Sequence, residues 1–278
     1  MLIELREDEF RNILSVLRQP AGIHNVFVYS VIDGKQKGKV FVNNRNMPTA
    51  GVVLNKGGCY FVFGDVSDNV FNNDLVEFLS NPLNHTNFFD LYLSSDEWLT
   101  LLKRELEGNV VQLNRSHYLL EDIPLKFREI QIPKEYQLRP IDKNLFNKYR
   151  DQIDNSYSHL WGSSDSYLKN AFGFCLLRDD DFVSVCNTFY IGGNYIAPDI
   201  ITLNEYRNRG LATVVCAYFL KKSIELGLTP YWDCDDGNDA SNRLAQTLGF
   251  RHVGNLPILW WHENKEVIEN YLKRYHYE

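Results

Sequence analysis

The stretch EYRNRGLATVV, residues 205–215, constrains the fold more than any other part of this chain. It places a basic turn directly in front of an apolar run. The segment before it, YIAPDIITL, is typical of a strand, and residues 211–226 carry a helical run that ends at Gly227, where a C-terminal cap belongs. A strand, a short turn and a buried helix therefore follow one another, which predicts an α/β or α+β fold.

The turn has the chemistry of an anion-binding site. A helix N-terminus presents unpaired backbone N–H groups and the positive end of the helix dipole. Gly210 and Ala212 let a phosphate approach that backbone, and Arg207 and Arg209 add charge that suits a pyrophosphate. The glycine patterns of P-loops and dinucleotide-binding folds do not occur in the sequence. Taken alone, the turn is interpreted equally well as a solvated basic loop before a core helix.

The length of 278 residues suits one large domain or two of ordinary size. A short predicted strand lies between Pro133 and Pro140, and after it a new succession of predicted helices and strands begins. We therefore predict an N-terminal α/β domain over residues 1–132 and a second domain over residues 133–278. Both halves mix helices and strands, which raises the hypothesis that the first is a degenerate copy of the second. In the first half, NVFVYSVID and GKVFVNN are predicted strands.

Composition argues against several classes of protein. The net charge of −7 and the pI of about 5.5 disfavour a broad nucleic-acid-binding surface. The five cysteines are odd in number and contain no CxxC, and the seven histidines lack metal-ligand spacing, so we expect neither a disulfide scaffold nor a metal site. No apolar run reaches the roughly 20 residues of a membrane span. The charged N-terminus lacks a signal-peptide pattern, and we expect a cytoplasmic protein without membrane association.

Two blocks of the sequence together resemble a known superfamily. The basic turn matches [Q/R]-x-x-G-x-[G/A] after a strand, as in motif A of the GNAT superfamily of N-acetyltransferases. Downstream, NDASNRLAQTLGF matches the second GNAT pattern, N-x-x-[A/S]-x-x-L-x-x-x-L-G-F. The order and separation of the blocks are similar as well, over roughly residues 136–262. A bacterial GNAT group with an extra N-terminal domain is especially similar.

The resemblance implies a mixed, mostly antiparallel sheet flanked by helices, which binds acetyl-CoA between its splayed fourth and fifth strands. Here those strands would span about residues 198–203 and 228–234. Pro230 suits a strand whose neighbour has moved away, because proline cannot donate to a ladder, although an ordinary edge-strand proline fits equally well. An Asx turn is an equal alternative for Asn238. The cofactor-binding residues that the resemblance implies are Thr202, Leu203, Arg207, Asn208, Arg209, Gly210, Leu211, Ala212, Thr213, Asn238 and Ser241.

Acetyl transfer to an amine requires a base, because an alkyl ammonium with a pKa of about 10 is not nucleophilic at neutral pH. We predict Asp199 on the fourth strand as that base and Asp233 on the fifth as the second candidate. A surface carboxylate and a turn or helix cap are the alternatives. Many GNAT enzymes carry a tyrosine proton donor in the next helix, where this chain has Ala245. The general acid is therefore left open, and a thiolate with a pKa of roughly 8.5 could leave without one.

The resemblance also implies that Trp161 lines the acceptor site, with core packing as the alternative. The predicted function is acetyl-CoA-dependent N-acetylation of a small molecule's primary amine by direct attack. One alternative is a catalytically inactive domain that binds acyl-CoA as a sensor or interaction module, which Ala245 favours. Another is aminoacyl transfer from tRNA, which the acidic balance disfavours. The acceptor, the role of the N-terminal domain and a homodimeric state are left open.

Overall fold

The computed structural model describes residues 1–19, 23–122, 124, 127 and 129–277. The chain divides into two compact units. The first unit comprises Met1–Ser116, Asp235–Asn238 and Gly254–Glu278, and the second comprises His117–Cys234 and Asp239–Val253. These units do not follow the predicted boundary between residues 132 and 133, and the division into two domains stays a prediction.

Strands and helices are interspersed along the chain. The strands are β1 Ile3–Glu4, β2 Gly38–Val42, β3 Ala50–Asn55, β4 Cys59–Gly64, β5 Phe88–Leu93, β6 Val111–Leu119, β7 Gln137–Pro140, β8 Gly173–Arg178, β9 Asp181–Gly192, β10 Tyr195–Thr202, β11 Thr229–Asp235 and β12 Arg251–His262. The α-helices are α1 Val26–Ile32, α2 Asn69–Ser80, α3 Asp96–Glu105, α4 Lys143–Gln152, α5 Tyr157–Trp161, α6 Ser164–Asn170, α7 Leu211–Glu225, α8 Asp239–Thr247 and α9 Lys265–Arg274. Short 3₁₀ segments cover Glu7–Ser15, Pro82–Asn84 and Asn204–Tyr206.

The first unit is built on strands in the order β1-β2-β3-β4-β5-β12. Neighbouring strands are antiparallel except β4 and β5, which are parallel. Its apolar core packs α2 and α3 against the sheet through Phe71, Leu75 and Trp98, which are fully buried. The Trp98 Nε1–H donates to the Gly64 carbonyl at 2.8 Å, so this large side chain is buried with its polar atom satisfied.

The strand predicted over NVFVYSVID is wrong, because residues 26–32 of that segment form helix α1. Its residues Val26, Phe27, Val28, Val31 and Ile32 are all buried, and the helix packs against β3 and β4. An apolar run buried on most sides lacks the amphipathic period by which a helix is distinguished from a strand. The β-branched composition therefore favoured the wrong element, and tertiary packing decided the conformation.

The second unit has strands in the order β11-β10-β9-β8-β7. The pairs from β7 to β10 are antiparallel, whereas β10 and β11 are parallel. Together with the first unit, this confirms the predicted mixed, mostly antiparallel architecture flanked by helices. Helix α7 packs on β8, β9 and β10, and its apolar residues are buried over most of its circumference, as the uninterrupted run Leu211–Leu220 requires.

Opposite faces of the second unit's sheet are covered by different helices. The register sets Ile200 opposite Cys186 and Asp199 opposite Asn187. Cys186 lies within hydrogen-bonding contact of Cys216 on α7, whereas Asn187 Oδ1 accepts the Tyr167 hydroxyl of α6 at 2.8 Å. Because successive strand residues face opposite sides, Asp199 is directed away from α7, toward α4, α5 and α6.

Candidate active site

Strands β10 and β11 separate soon after they begin. They pair only at Tyr195–Thr229 and Ile196–Pro230, and β10 pairs with β9 as far as Thr202. The separation of the two strands that the resemblance implied is therefore confirmed within the second unit. It leaves one edge of β10 facing an opening.

Two prolines lie where the strands separate. Pro230 occupies the last paired position on β11, and Pro198 follows Ile196 by two residues on β10. Between Ala197 and Pro198 the register with β9 shifts, which is the signature of a β-bulge. Proline has no N–H to extend a ladder, so both residues suit this place. Pro230 was predicted to suit this place, and Pro198 is a second residue of the same kind in the sequence.

The open edge of β10 carries main-chain hydrogen-bonding groups. The Leu203 N–H donates to the Val183 carbonyl of β9 at 3.0 Å. In an antiparallel pair these groups alternate between the partner strand and the outer edge. The amides of Ile200 and Thr202 therefore face the opening, and those of Leu203 are directed to β9. The Thr202 hydroxyl hydrogen-bonds with that of Ser184 at 2.7 Å. Ile200 was not among the predicted site residues.

The basic turn runs from the end of β10 to the start of α7. Asn208 has φ 61° and Gly210 has φ 73°, so both occupy the left-handed region that glycine and asparagine tolerate best. A Cβ built on Gly210 meets nothing within 4 Å, so the backbone conformation and not crowding demands glycine there. Asn208 at this conformation was not anticipated from the sequence.

Helix α7 begins immediately after this turn with free donors. Its N-cap is Gly210, which has no side chain to accept a hydrogen bond, and the Val214 N–H is bonded to the Gly210 carbonyl at 3.2 Å. The preceding amides of Leu211, Ala212 and Thr213 are the unpaired donors of a helix N-terminus. With the helix dipole they can bind an anion.

Both arginines of the turn donate hydrogen bonds to nearby main-chain carbonyls. Arg207 Nε donates to the Thr202 carbonyl at 3.1 Å, and an Arg209 terminal nitrogen donates to the Glu205 carbonyl at 3.0 Å. The Arg209 guanidinium also lies over the Tyr206 ring, 5.6 Å from its centroid. A guanidinium has five N–H donors, so one such bond leaves each arginine able to contact an anion as well.

Asp199 lies on β10, partly buried, with two tyrosine hydroxyls on one of its oxygens. Tyr149 donates to Asp199 Oδ2 at 2.9 Å and Tyr157 donates to the same atom at 3.3 Å. Burial raises the pKa of Asp199 to about 6, aided by the nearby Asp154, and the two tyrosine hydrogen bonds act in the opposite direction. A carboxylate with a pKa near neutrality is suited to exchange protons with a substrate.

Asp233 lies on β11, also partly buried. Its neighbours in the strand face α8: Trp232 Nε1 donates to Ser241 Oγ at 3.0 Å, and Cys234 Sγ donates to Asn242 Oδ1 at 3.2 Å. Strand alternation directs Asp233 to the opposite face of β11. Cys234 itself is buried.

Trp161, Ser241 and Asn238 are the remaining predicted site residues. Trp161 is 3% exposed and packs edge-on against Tyr167, with 5.4 Å between ring centroids. Its indole nitrogen has no hydrogen-bond partner among the described residues. Ser241 is occupied by Trp232, as given above. Asn238 belongs to the first unit, where its amide donates to the Asp235 carbonyl at 3.0 Å.

Ala245, the position of the usual tyrosine, is completely buried on α8. A hydroxyl does reach this helix from elsewhere, since Tyr118 donates to Asn242 Oδ1 at 2.6 Å.

Among the described residues, no group of three histidine, cysteine or acidic side chains is placed to hold a metal ion. The described helices include none that is long and apolar enough to cross a membrane.

Comparison with known proteins agrees with this geometry. A model of the GNAT acetyltransferase family matches residues 18–259. The chain is 31% identical over 235 residues to the uncharacterized N-acetyltransferase YdfB of Bacillus subtilis, an alignment that covers 84% of this chain and 89% of that protein.

Solved structures show the same fold over nearly the whole chain. A GCN5-related N-acetyltransferase-like protein from Streptococcus suis superimposes with a TM-score of 0.74 at 17% identity, covering 92% of this chain and 99% of the other. A tandem GNAT protein from the clavulanic acid biosynthesis pathway gives a TM-score of 0.61 at 10% identity, covering 95% and 98%.

Proposed function

Because the chain belongs to the GNAT acetyltransferase family, we propose that it transfers an acetyl group from acetyl-CoA to the primary amine of a small molecule by direct attack. The observation that carries this proposal is the separation of β10 from β11 next to the free N-terminus of α7. The two features would hold the two ends of acetyl-CoA, which has a multiply charged pyrophosphate and a narrow, amide-containing arm.

The pyrophosphate would bind at the turn. The amides of Leu211, Ala212 and Thr213 would donate to its oxygens, with the helix dipole adding to the attraction. Arg207 and Arg209 would supply neutralising charge from the exposed side of the turn. Asn208 and Gly210 would allow the backbone to curl around the anion.

The arm of acetyl-CoA would lie along the open edge of β10. The outward N–H of Thr202 is placed to hydrogen-bond with its amide groups, as an added strand would. The N–H of Ile200 already donates to the Asp199 carboxylate, so Ile200 would contribute its outward carbonyl. Leu203 is less suited to this role through its own N–H, because that donor is already used by Val183. The thioester would then lie toward the bulge and Asp199.

Asp199 would act as the base. A carboxylate with a pKa of about 6 is roughly nine-tenths ionised at pH 7, so it can accept a proton from the substrate ammonium directly or through a water. The neutral amine then forms the C–N bond to the acetyl carbonyl carbon. The carbonyl oxygen becomes negative, and a main-chain N–H of β10 could stabilise it.

The attacking nitrogen, which is positively charged once the C–N bond has formed, loses its extra proton to water, and collapse of the tetrahedral intermediate then breaks the C–S bond and releases the CoA thiolate. With alanine at position 245, no tyrosine at the usual place protonates it. A thiol pKa of roughly 8.5 makes the thiolate a fair leaving group without assistance. Ala245 is therefore compatible with an active enzyme, and the family assignment favours activity over an inactive acyl-CoA sensor.

The experiment that tests this function is acetylation of a library of primary amines. The protein is incubated with acetyl-CoA and the library, and mass spectrometry detects amines that gain one acetyl group. We expect one chemical class to be acetylated in proportion to the protein added. A library acetylated no faster than without protein, despite calorimetric binding of acetyl-CoA, would favour the inactive alternative.

A further inference from the structure

The two tyrosines on Asp199 come from separate helices and converge on one atom. Tyr149 lies on α4 and Tyr157 begins α5, and both hydroxyls donate to Oδ2 and neither to Oδ1. Asp199 is partly exposed, so groups outside the protein can reach it. Both tyrosine hydrogen bonds therefore use Oδ2, and Oδ1 receives neither of them.

The tyrosines are themselves fixed by packing. Tyr149 is 1% exposed and Tyr157 is fully buried. Their rings meet edge to face with 5.0 Å between centroids, and Tyr149 also meets Phe182 of β9 edge to face at 6.0 Å. Burial and the charge of Asp199 raise the pKa of both hydroxyls well above the ordinary value, so both stay protonated and can only donate to the carboxylate.

We propose that Tyr149 and Tyr157 are positioning residues that hold Asp199 through Oδ2 and favour its ionised form, so that Oδ1 accepts the proton of the substrate amine. This inference rests on the proposed function of Asp199. It goes beyond that function because it assigns an orientation to the carboxylate and a source for its charge.

The groups that face Asp199 act in opposite directions. From α4 and α5, the two tyrosine hydroxyls lower its pKa by donating to the charged form. From the connection between those helices, Asp154 raises it by like-charge repulsion, and the backbone N–H of Ile200 on β10 lowers it. On β9, burial and the contact with Cys216 raise the pKa of the Cys186 thiol, and the charge of Asp199 adds a smaller contribution, so this thiol stays neutral and places no charge near Asp199. The tyrosines are therefore the side chains that offset burial.

Removal of one hydroxyl tests the proposal without removing a ring. In Tyr149→Phe the carboxylate loses its shorter hydrogen bond, and the pKa of Asp199 should rise by about one pH unit, the size expected for a hydrogen bond to a charged group. In Tyr157→Phe, which removes the longer bond, the rise should be smaller. Tyr167→Phe is the matched control, since Tyr167 is fully buried in the same cluster and bonds to Asn187 instead.

The titration of Asp199 can be followed by NMR in protein labelled with ¹³C at the aspartate carboxyls, the resonance being assigned by its loss in Asp199→Asn. A higher pKa in Tyr149→Phe and Tyr157→Phe but not in Tyr167→Phe supports the proposal. A pKa that moves no more than in the control overturns it, even if the variants lose thermal stability. If Tyr149→Phe does not fold, Tyr157→Phe alone decides.

Failure of the base itself is separable from failure of this inference. The titration needs neither acetyl-CoA nor an acceptor, so it reports on the tyrosines whether or not Asp199 acts in catalysis. If the pKa shifts as expected while Asp199→Asn retains full turnover, the tyrosines do hold the carboxylate but the assignment of the base is wrong, and the positioning role has no reaction to serve.

Discussion

Ile196 of β10 and Pro230 of β11 are the last residues at which these two parallel strands pair. From that point β10 continues beside β9 for six residues, Ala197 to Thr202, and the amide of the following Leu203 still bonds to β9. The opening therefore begins inside the sheet and ends at the basic turn. An extended, anionic co-substrate can lie along it, and the predictions below follow from that placement.

Gly210 and Gly227 flank α7 and form a natural pair for testing the turn. Their φ angles are +73° and +71°, and a Cβ on either meets nothing within 4 Å. Valine at either position should cost roughly 1–2 kcal/mol through backbone strain alone. We expect Gly210→Val to abolish the rise in melting temperature caused by acetyl-CoA, and Gly227→Val to retain it, measured by thermal denaturation.

A retained shift in Gly210→Val would place the phosphate-binding site elsewhere. An equal loss in both variants would mean that the effect arises from general destabilisation of α7 and not from the turn.

The charged carboxylate of Asp199 should lower the free energy of unfolding at neutral pH. Its pKa is about 6 when folded against 3.8 unperturbed, so the folded state holds this proton more tightly and stability falls as the pH rises from about 4 to about 6. Asp199→Asn removes the charge while keeping an oxygen to accept from the tyrosines. Chemical denaturation should show a gain in the free energy of unfolding of up to about 3 kcal/mol at pH 7, and little change at pH 4.

The matched control for this gain is Asp179→Asn, whose side chain is 93% exposed, and which should alter stability little at either pH. A loss of stability at pH 7 in Asp199→Asn would show that its charge is compensated in the folded state, contrary to the raised pKa.

The same substitution should slow the reaction. With an acceptor from the amine library, we expect Asp199→Asn to lower kcat by roughly 10²–10⁴-fold while the Kd for acetyl-CoA hardly changes, because the residue would touch the amine and not the phosphates. Wild-type turnover should decline as the pH falls through about 6, when Asp199 becomes protonated. Asp233→Asn, the second candidate, should retain most of the turnover. The reverse pattern would make Asp233 the base.

Local sequence signals were sufficient to predict β10, the turn and α7. A strand, a basic turn with Gly210 and an apolar run each depend on neighbours in the chain, and the observed bounds Tyr195–Thr202 and Leu211–Glu225 follow the prediction closely. The prediction that β10 and β11 separate came from the family resemblance, because strand pairing depends on residues far apart in the chain. Pro198 and Pro230 were the local sequence signals that indicated this separation.

The surroundings of Asp199 could not be predicted in this way. Its partners Tyr149 and Tyr157 lie 50 and 42 residues earlier in the chain, and which of the 16 tyrosines reaches a given carboxylate depends on how helices pack. Helix α1 was missed for a related reason, because an apolar run that is buried on most sides carries no periodic signal. Tertiary packing supplied the information in both cases.

The most direct measurement of the central claim is a crystal structure of the protein with acetyl-CoA. We predict that the pyrophosphate lies within hydrogen-bonding distance of the amides of Leu211, Ala212 and Thr213, that the arm follows the edge of β10 at Ile200 and Thr202, and that the thioester points toward Asp199. Acetyl-CoA bound away from the opening between β10 and β11, or with its thioester on the α7 side of the sheet, would contradict the account.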